Sequence, residues 1–76
     1  MGQLSNIKLS QFRAFLQSKG LTMSHTHGGH EIWTKVGLKR PVTFQTHVEP
    51  IPEFIIRNNL TVIGATRAEL IDFLKK

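Results

Sequence analysis

The stretch Leu21-Thr22-Met23-Ser24-His25-Thr26-His27-Gly28-Gly29-His30-Glu31-Ile32-Trp33-Thr34-Lys35-Val36 decides how this chain folds. Its first half alternates. Leu21, Met23, His25 and His27 share one face, and Thr22, Ser24 and Thr26 share the other, with β-branched threonines that suit a strand. Gly28-Gly29 supplies the residue type that a two-residue hairpin turn demands. Beyond it the alternation resumes. His30, Ile32, Thr34 and Val36 fall on one side, and Glu31, Trp33 and Lys35 on the other. The stretch therefore reads as two antiparallel strands, Leu21 to His27 and His30 to about Val36, joined by a tight turn.

Upstream, Ser10 is placed to cap a helix running to about Lys19, with Phe12, Phe15 and Leu16 on one stripe and Gly20 as its stop. Downstream, Gly37 to Pro41 makes a connection, and Val42 to Thr46 gives a third strand on which Val42 and Phe44 point the same way. Pro41 belongs at that strand's start, where a missing N–H does least harm. Pro50-Ile51-Pro52 cannot continue a sheet and favours a helix beginning near Pro52. There Ile56, Leu60 and Ile63 follow helical spacing, Ile55 widens the stripe, and Gly64 ends it. Thr66 and Glu69 form a Thr-x-x-Glu capping box for a last helix carrying Leu70, Ile71, Phe73 and Leu74. The expected fold is α+β, in the order α-β-β-β-α(-α). Its three-stranded antiparallel sheet has helices packed on one face and an open second face displaying Trp33, Lys35, Thr43 and Gln45.

Residues 1–76 make a single domain, small enough that only ~60% of the unfolded surface is buried on folding. The apolar share of 39% fills one core, and the absence of cysteine excludes disulfides and thiolate zinc sites. The first twenty residues hold no continuous apolar run, so neither a signal peptide nor a membrane span is expected and the location is read as cytoplasmic. Ten Lys and Arg against five Asp and Glu give a formal charge of +5, which points to an anionic partner. These basic residues are scattered, so a folded basic face is expected rather than a basic tail.

Chemistry concentrates at the hairpin corner. Three of the four histidines and two of the six glycines lie within residues 25–33. Histidine changes charge near neutrality and serves proton transfer or metal ligation. A glycine pair lets a ligand approach the backbone closely. His25-x-His27 with His30 offers three imidazoles for zinc. However, they straddle the turn, no Asp or Cys stands nearby as a fourth ligand, and Glu31 points away from His30, so no metal or other cofactor is expected.

Over nearly its whole length the chain resembles the HicA toxin family, the small ribonucleases of bacterial toxin–antitoxin pairs. The resemblance rests on a first helix ending in Lys19-Gly20 and on the corner Gly28-Gly29-His30-Glu31-Ile32-Trp33, where Gly-Ser/Thr-His with an aromatic three residues on is typical. A strand, a proline-containing link and two terminal helices complete it. His30 falls at the family's catalytic histidine and Trp33 at its aromatic position. Gly29 departs from the pattern, standing where a hydroxyl residue is usual. The resemblance implies a fold like the double-stranded-RNA-binding domain and metal-independent cleavage of mRNA. It also implies silencing by a HicB-type antitoxin protein, through which homo- or hetero-oligomers would assemble.

Such cleavage uses the RNA's own 2′-hydroxyl as nucleophile. A neutral imidazole at His30 would act as general base, typically worth ~10²–10⁴-fold. Backbone N–H groups at Gly28 and Gly29 would donate to phosphate oxygens. Lys35 or Arg40 would offset charge building on phosphorus, and Trp33 would stack on an unpaired base, a contact worth ~1–3 kcal/mol. The general acid stays open among His27, His25, His47 and water. Plainer readings stand beside these. His30 also suits a polar hairpin end, His25 and His27 suit surface strand positions, Trp33 suits core or a dimer contact, and Lys35, Lys39 and Arg40 suit a solvated hairpin. Two further functions compete with the nuclease: a non-catalytic RNA-binding domain of the same shape, and a basic surface that docks an acidic protein.

Overall fold

The computed structural model describes residues 4–75. Helix α1 (Leu9–Ser18) leads into β1 (Thr22–His27), β2 (His30–Thr34) and β3 (Val42–Gln45). Helices α2 (Glu53–Ile63) and α3 (Arg67–Leu74) follow. The sheet is antiparallel in the order β1-β2-β3, so the described residues form a small α+β unit of three strands and three helices. Among the described residues no helix is long and apolar enough to cross a membrane.

One core joins the layers. Phe12, Phe15 and Leu16 of α1 meet Trp33, Val42 and Phe44 of the sheet, with Ile56, Leu60 and Leu70 from the later helices. Phe12 meets Phe44 edge to face with ring centroids 5.3 Å apart, and Phe15 meets Phe73 at 5.5 Å, the offset geometry that aromatic quadrupoles favour. Helix α3 opens on the expected box: Glu69 N–H donates to Thr66 Oγ1 at 3.1 Å, and Thr66 N–H donates to Glu69 Oε1 at 2.9 Å. Gly64 closes α2 in a left-handed conformation.

The start of α1 differs from expectation. Lys8, not Ser10, is the cap residue, and its N–H donates to the Gln11 side chain at 2.8 Å. The Leu9 N–H donates to Glu49 Oε1 at 3.2 Å. A carboxylate from a distant loop thus satisfies a free N–H at the positive end of the helix.

The two faces of the sheet also differ from expectation. β2 ends at Thr34, and Val36 lies beyond it, fully exposed. Opposed pairs Glu31↔Phe44 and Trp33↔Val42 place Glu31 and Trp33 on the helix-bearing face, where both are buried. Trp33 is therefore not displayed on the open face. Thr43 and Gln45 are exposed there as expected, but their companions on β2 are His30, Ile32 and Thr34. In β1 the register slips between Met23 and His25. The extra residue of this bulge breaks the simple alternation. Met23 opposes Trp33 on the helix side, while His25 opposes Ile32 and His27 opposes His30 on the open side.

The sheet edges are treated differently. Asn59 Nδ2 of α2 donates to the Thr43 carbonyl at 2.9 Å, covering the outer edge of β3. Every residue of β1 is exposed, which leaves that edge open for pairing.

Candidate functional site

The hairpin tip is built by the glycine pair. Gly28 and Gly29 have φ of +58° and +82°, the positive values that a two-residue turn matching strand twist requires at both central positions. A Cβ at either glycine would meet no atom within 4 Å, so backbone conformation rather than crowding selects glycine here. The turn sets His27 directly opposite His30. His30 in turn opposes Gln45, so His27, His30 and Gln45 form one row across the open face, all exposed. The next row is His25, Ile32 and Thr43.

A buried polar network behind the sheet holds this tip in place. Glu31 follows His30 and points inward, where its carboxylate accepts from Arg13 Nε at 3.0 Å, Trp33 Nε1 at 3.0 Å and Thr46 Oγ1 at 2.7 Å. Arg13 Nη2 completes a bidentate ion pair with Glu31. The Arg13 bonds outweigh desolvation and, with help from Thr46 and Trp33, hold the Glu31 carboxyl down at about 2. Thr46 is bonded at two points, since its backbone N–H also donates to the Gly29 carbonyl at 2.8 Å. Arg13, Glu31, Thr46 and Gly29 thus form a continuous chain from α1 to the turn. His47, exposed, directly follows Thr46.

Beside His30 lies a groove of about 190 Å³, walled by Val48, Pro52 and Ile55 with Thr43 and Gln45 along its floor. A wider groove of about 480 Å³ runs on the helix-bearing side between α1 and β1, over Trp33 and Met23. It holds no histidine, and its charged pair, Arg13 with Glu31, is already satisfied.

The structure gathers some of the sequence-identified residues and separates others. His30, Gly28 and Gly29 meet at the tip. Trp33 is 3% exposed with its indole N–H bonded to Glu31, so it offers no stacking surface to a base. Lys35 follows the other end of β2, and Thr34 already stands about 13 Å from His30 at 3.3 Å per residue. The Lys35 ammonium donates to the Lys19 carbonyl at 3.0 Å, at the end of α1. Arg40 precedes β3 at that same far end. Neither cation stands beside a phosphorus held at His30. Among the described residues no cluster of three or more His, Cys, Asp or Glu side chains is arranged to hold a metal.

Sequence reasoning missed the Thr46 clamp, the Gln45 position in the histidine row and the Val48–Ile55 groove. Gln45 and Thr46 carried a weak signal, being polar residues at the end of an alternating strand. The groove carried none, because it exists only once α2 lies beside β3. No protein-family model, curated protein or solved structure matches this chain.

Proposed function

We propose that this chain is a HicA-like toxin with a fold of the double-stranded-RNA-binding type, a metal-independent endoribonuclease that cuts mRNA in the cytoplasm. The observation that carries this reading is the placement of His30. An exposed imidazole stands on the open sheet face, against a turn of two glycines and beside a groove wide enough for more than a water. His30 takes the proton from a ribose 2′-hydroxyl, and the 2′-oxygen attacks the adjacent phosphorus. Backbone N–H groups of Gly28 and Gly29 donate to phosphate oxygens, as anion-binding turns do. The neighbouring base seats against Val48, Pro52 and Ile55, taking the role that buried Trp33 cannot fill. Lys35 and Arg40 contact phosphates farther along the strand, and the +5 charge draws RNA in.

The partner is a HicB-type antitoxin, whose acidic surface covers the histidine corner. Complementary charge favours that complex. The test is cleavage of RNA by wild type and His30→Ala, with and without chelator. A non-catalytic RNA-binding domain would bind RNA equally in both proteins and cut with neither.

A further inference from the structure

We infer that His27 is the general acid of the same reaction, protonating the 5′-oxygen that leaves phosphorus; this assignment rests on the ribonuclease reading of His30. The sequence leaves the general acid open among His25, His27, His47 and water, and the hairpin register separates them. His27 and His30 are directly opposed, and opposed residues place their Cβ atoms ~4.5–5.5 Å apart on one face. Base and acid must each come within hydrogen-bond reach of one of the two apical oxygens of a single phosphodiester, and two imidazoles rooted on neighbouring strands of one face flank such a group. His25 belongs to the next row, opposite Ile32, and its Nδ1 lies 2.9 Å from Ser24 Oγ. Among the described residues neither the His27 nor the His30 ring is hydrogen-bonded to another side chain, leaving both free for substrate. His47 lies outside the strands.

The open face presents His25, His27, His30, Ile32, Thr34, Thr43 and Gln45, with no Asp, Glu, Lys or Arg among them. Glu31 points to the opposite face and is bound to Arg13. Among the described residues neither imidazole is held in an ion pair, and imidazole is the side-chain type suited to acid or base work near neutrality. The step balances. Neutral His30 accepts the 2′-hydroxyl proton, the new bond from 2′-oxygen to phosphorus forms, and the bond from phosphorus to the 5′-oxygen breaks. His27 imidazolium gives its proton to that oxygen. The products are a 2′,3′-cyclic phosphate and a 5′-hydroxyl, and a proton passing through solvent resets the pair.

The test compares an RNA oligonucleotide with uridine 3′-(4-nitrophenyl phosphate), whose leaving group departs without protonation. His27→Ala is expected to cut RNA ~10²–10⁴-fold more slowly but the nitrophenyl ester less than ~10-fold more slowly, and to lose the alkaline limb of the pH–rate profile. His30→Ala is expected to lose activity on both substrates. Thermal melting confirms that each variant remains folded, as exposed positions permit. Wild-type RNA cleavage by His27→Ala, an equal loss on both substrates, or the leaving-group pattern appearing in His47→Ala instead would each overturn the His27 assignment while leaving His30 in place. Wild-type activity of His30→Ala on both substrates would overturn His30 as the base, and cleavage of neither substrate by wild type would overturn the nuclease reading itself.

Discussion

The indole N–H of Trp33 donates to Glu31 Oε1 at 3.0 Å, joining two residues that alternate onto the buried face of β2. That bond turns the largest aromatic of the corner inward and leaves the histidines to face solvent. Trp33→Phe is expected to lower stability by about 1–2 kcal/mol through the lost hydrogen bond and a small void. RNA affinity per folded molecule is expected to hold. Trp33 is the chain's single tryptophan, so in the wild-type protein its fluorescence reports whether bases reach the ring. Emission quenched by added RNA would show that the ring is reached by bases after all.

Glu31 gives the fold a defined response to acid. Its carboxyl is held at about 2, below its ordinary 4.5, first by the Arg13 bonds and then by Thr46 and Trp33. A depressed carboxylate contributes its stability above the unfolded-state value and loses it as pH falls toward the folded one. The affected window is therefore pH 4.5 down to 2. The Arg13 side chain is 37% exposed, so water screens part of the pair and the loss is set at about 1–3 kcal/mol. Denaturant melts between pH 6 and 2 are expected to show that loss, and Glu31→Gln is expected to flatten it.

The glycine turn tolerates few replacements. Gly29 has φ of +82°, and a Cβ at this position would meet only open space, so strain and not collision sets the cost. Gly29→Ser, which adds a Cβ and a hydroxyl at this backbone position, is expected to destabilise by about 1 kcal/mol. Gly29→Asn is expected to cost less, because asparagine visits this region more readily. Equal stability of Gly29→Ser and wild type in urea melts would contradict the observed turn.

Lys35 and Arg40 stand at the end of the sheet away from His30. Lys35→Ala with Arg40→Ala is expected to weaken RNA binding and to reduce the slope of log affinity against log salt by roughly 1–2. Cleavage at saturating RNA is expected to be unchanged. A fall in kcat with KM constant would place one of them at the reacting phosphorus.

Much of the architecture was legible because it is local. The capping box at Thr66 and Glu69, the stop at Gly64 and the Gly28-Gly29 turn each act over a few residues, and all three occur where the sequence places them. Which face of β2 is buried was not legible. Alternation yields two faces, and choosing between them needs the register that sets Trp33 against Val42 and Glu31 against Phe44. The Gly37–Pro41 connection does not fix that register. The bulge near Ser24 likewise hides from alternation: the turn keeps His25 and His27 on the side of His30, and the bulge sends Met23 to the opposite face. Glu49 at the start of α1 and Thr46 at the turn act across long chain separations, so no local pattern marks them.

Incubation of purified protein with a defined mRNA, resolved on a sequencing gel in EDTA, tests the role of His30 most directly. Wild type is expected to cut and to leave 2′,3′-cyclic phosphate ends, while folded His30→Ala leaves the RNA intact at equal binding. Cleavage by His30→Ala at the wild-type rate, or intact RNA with both proteins, would contradict it.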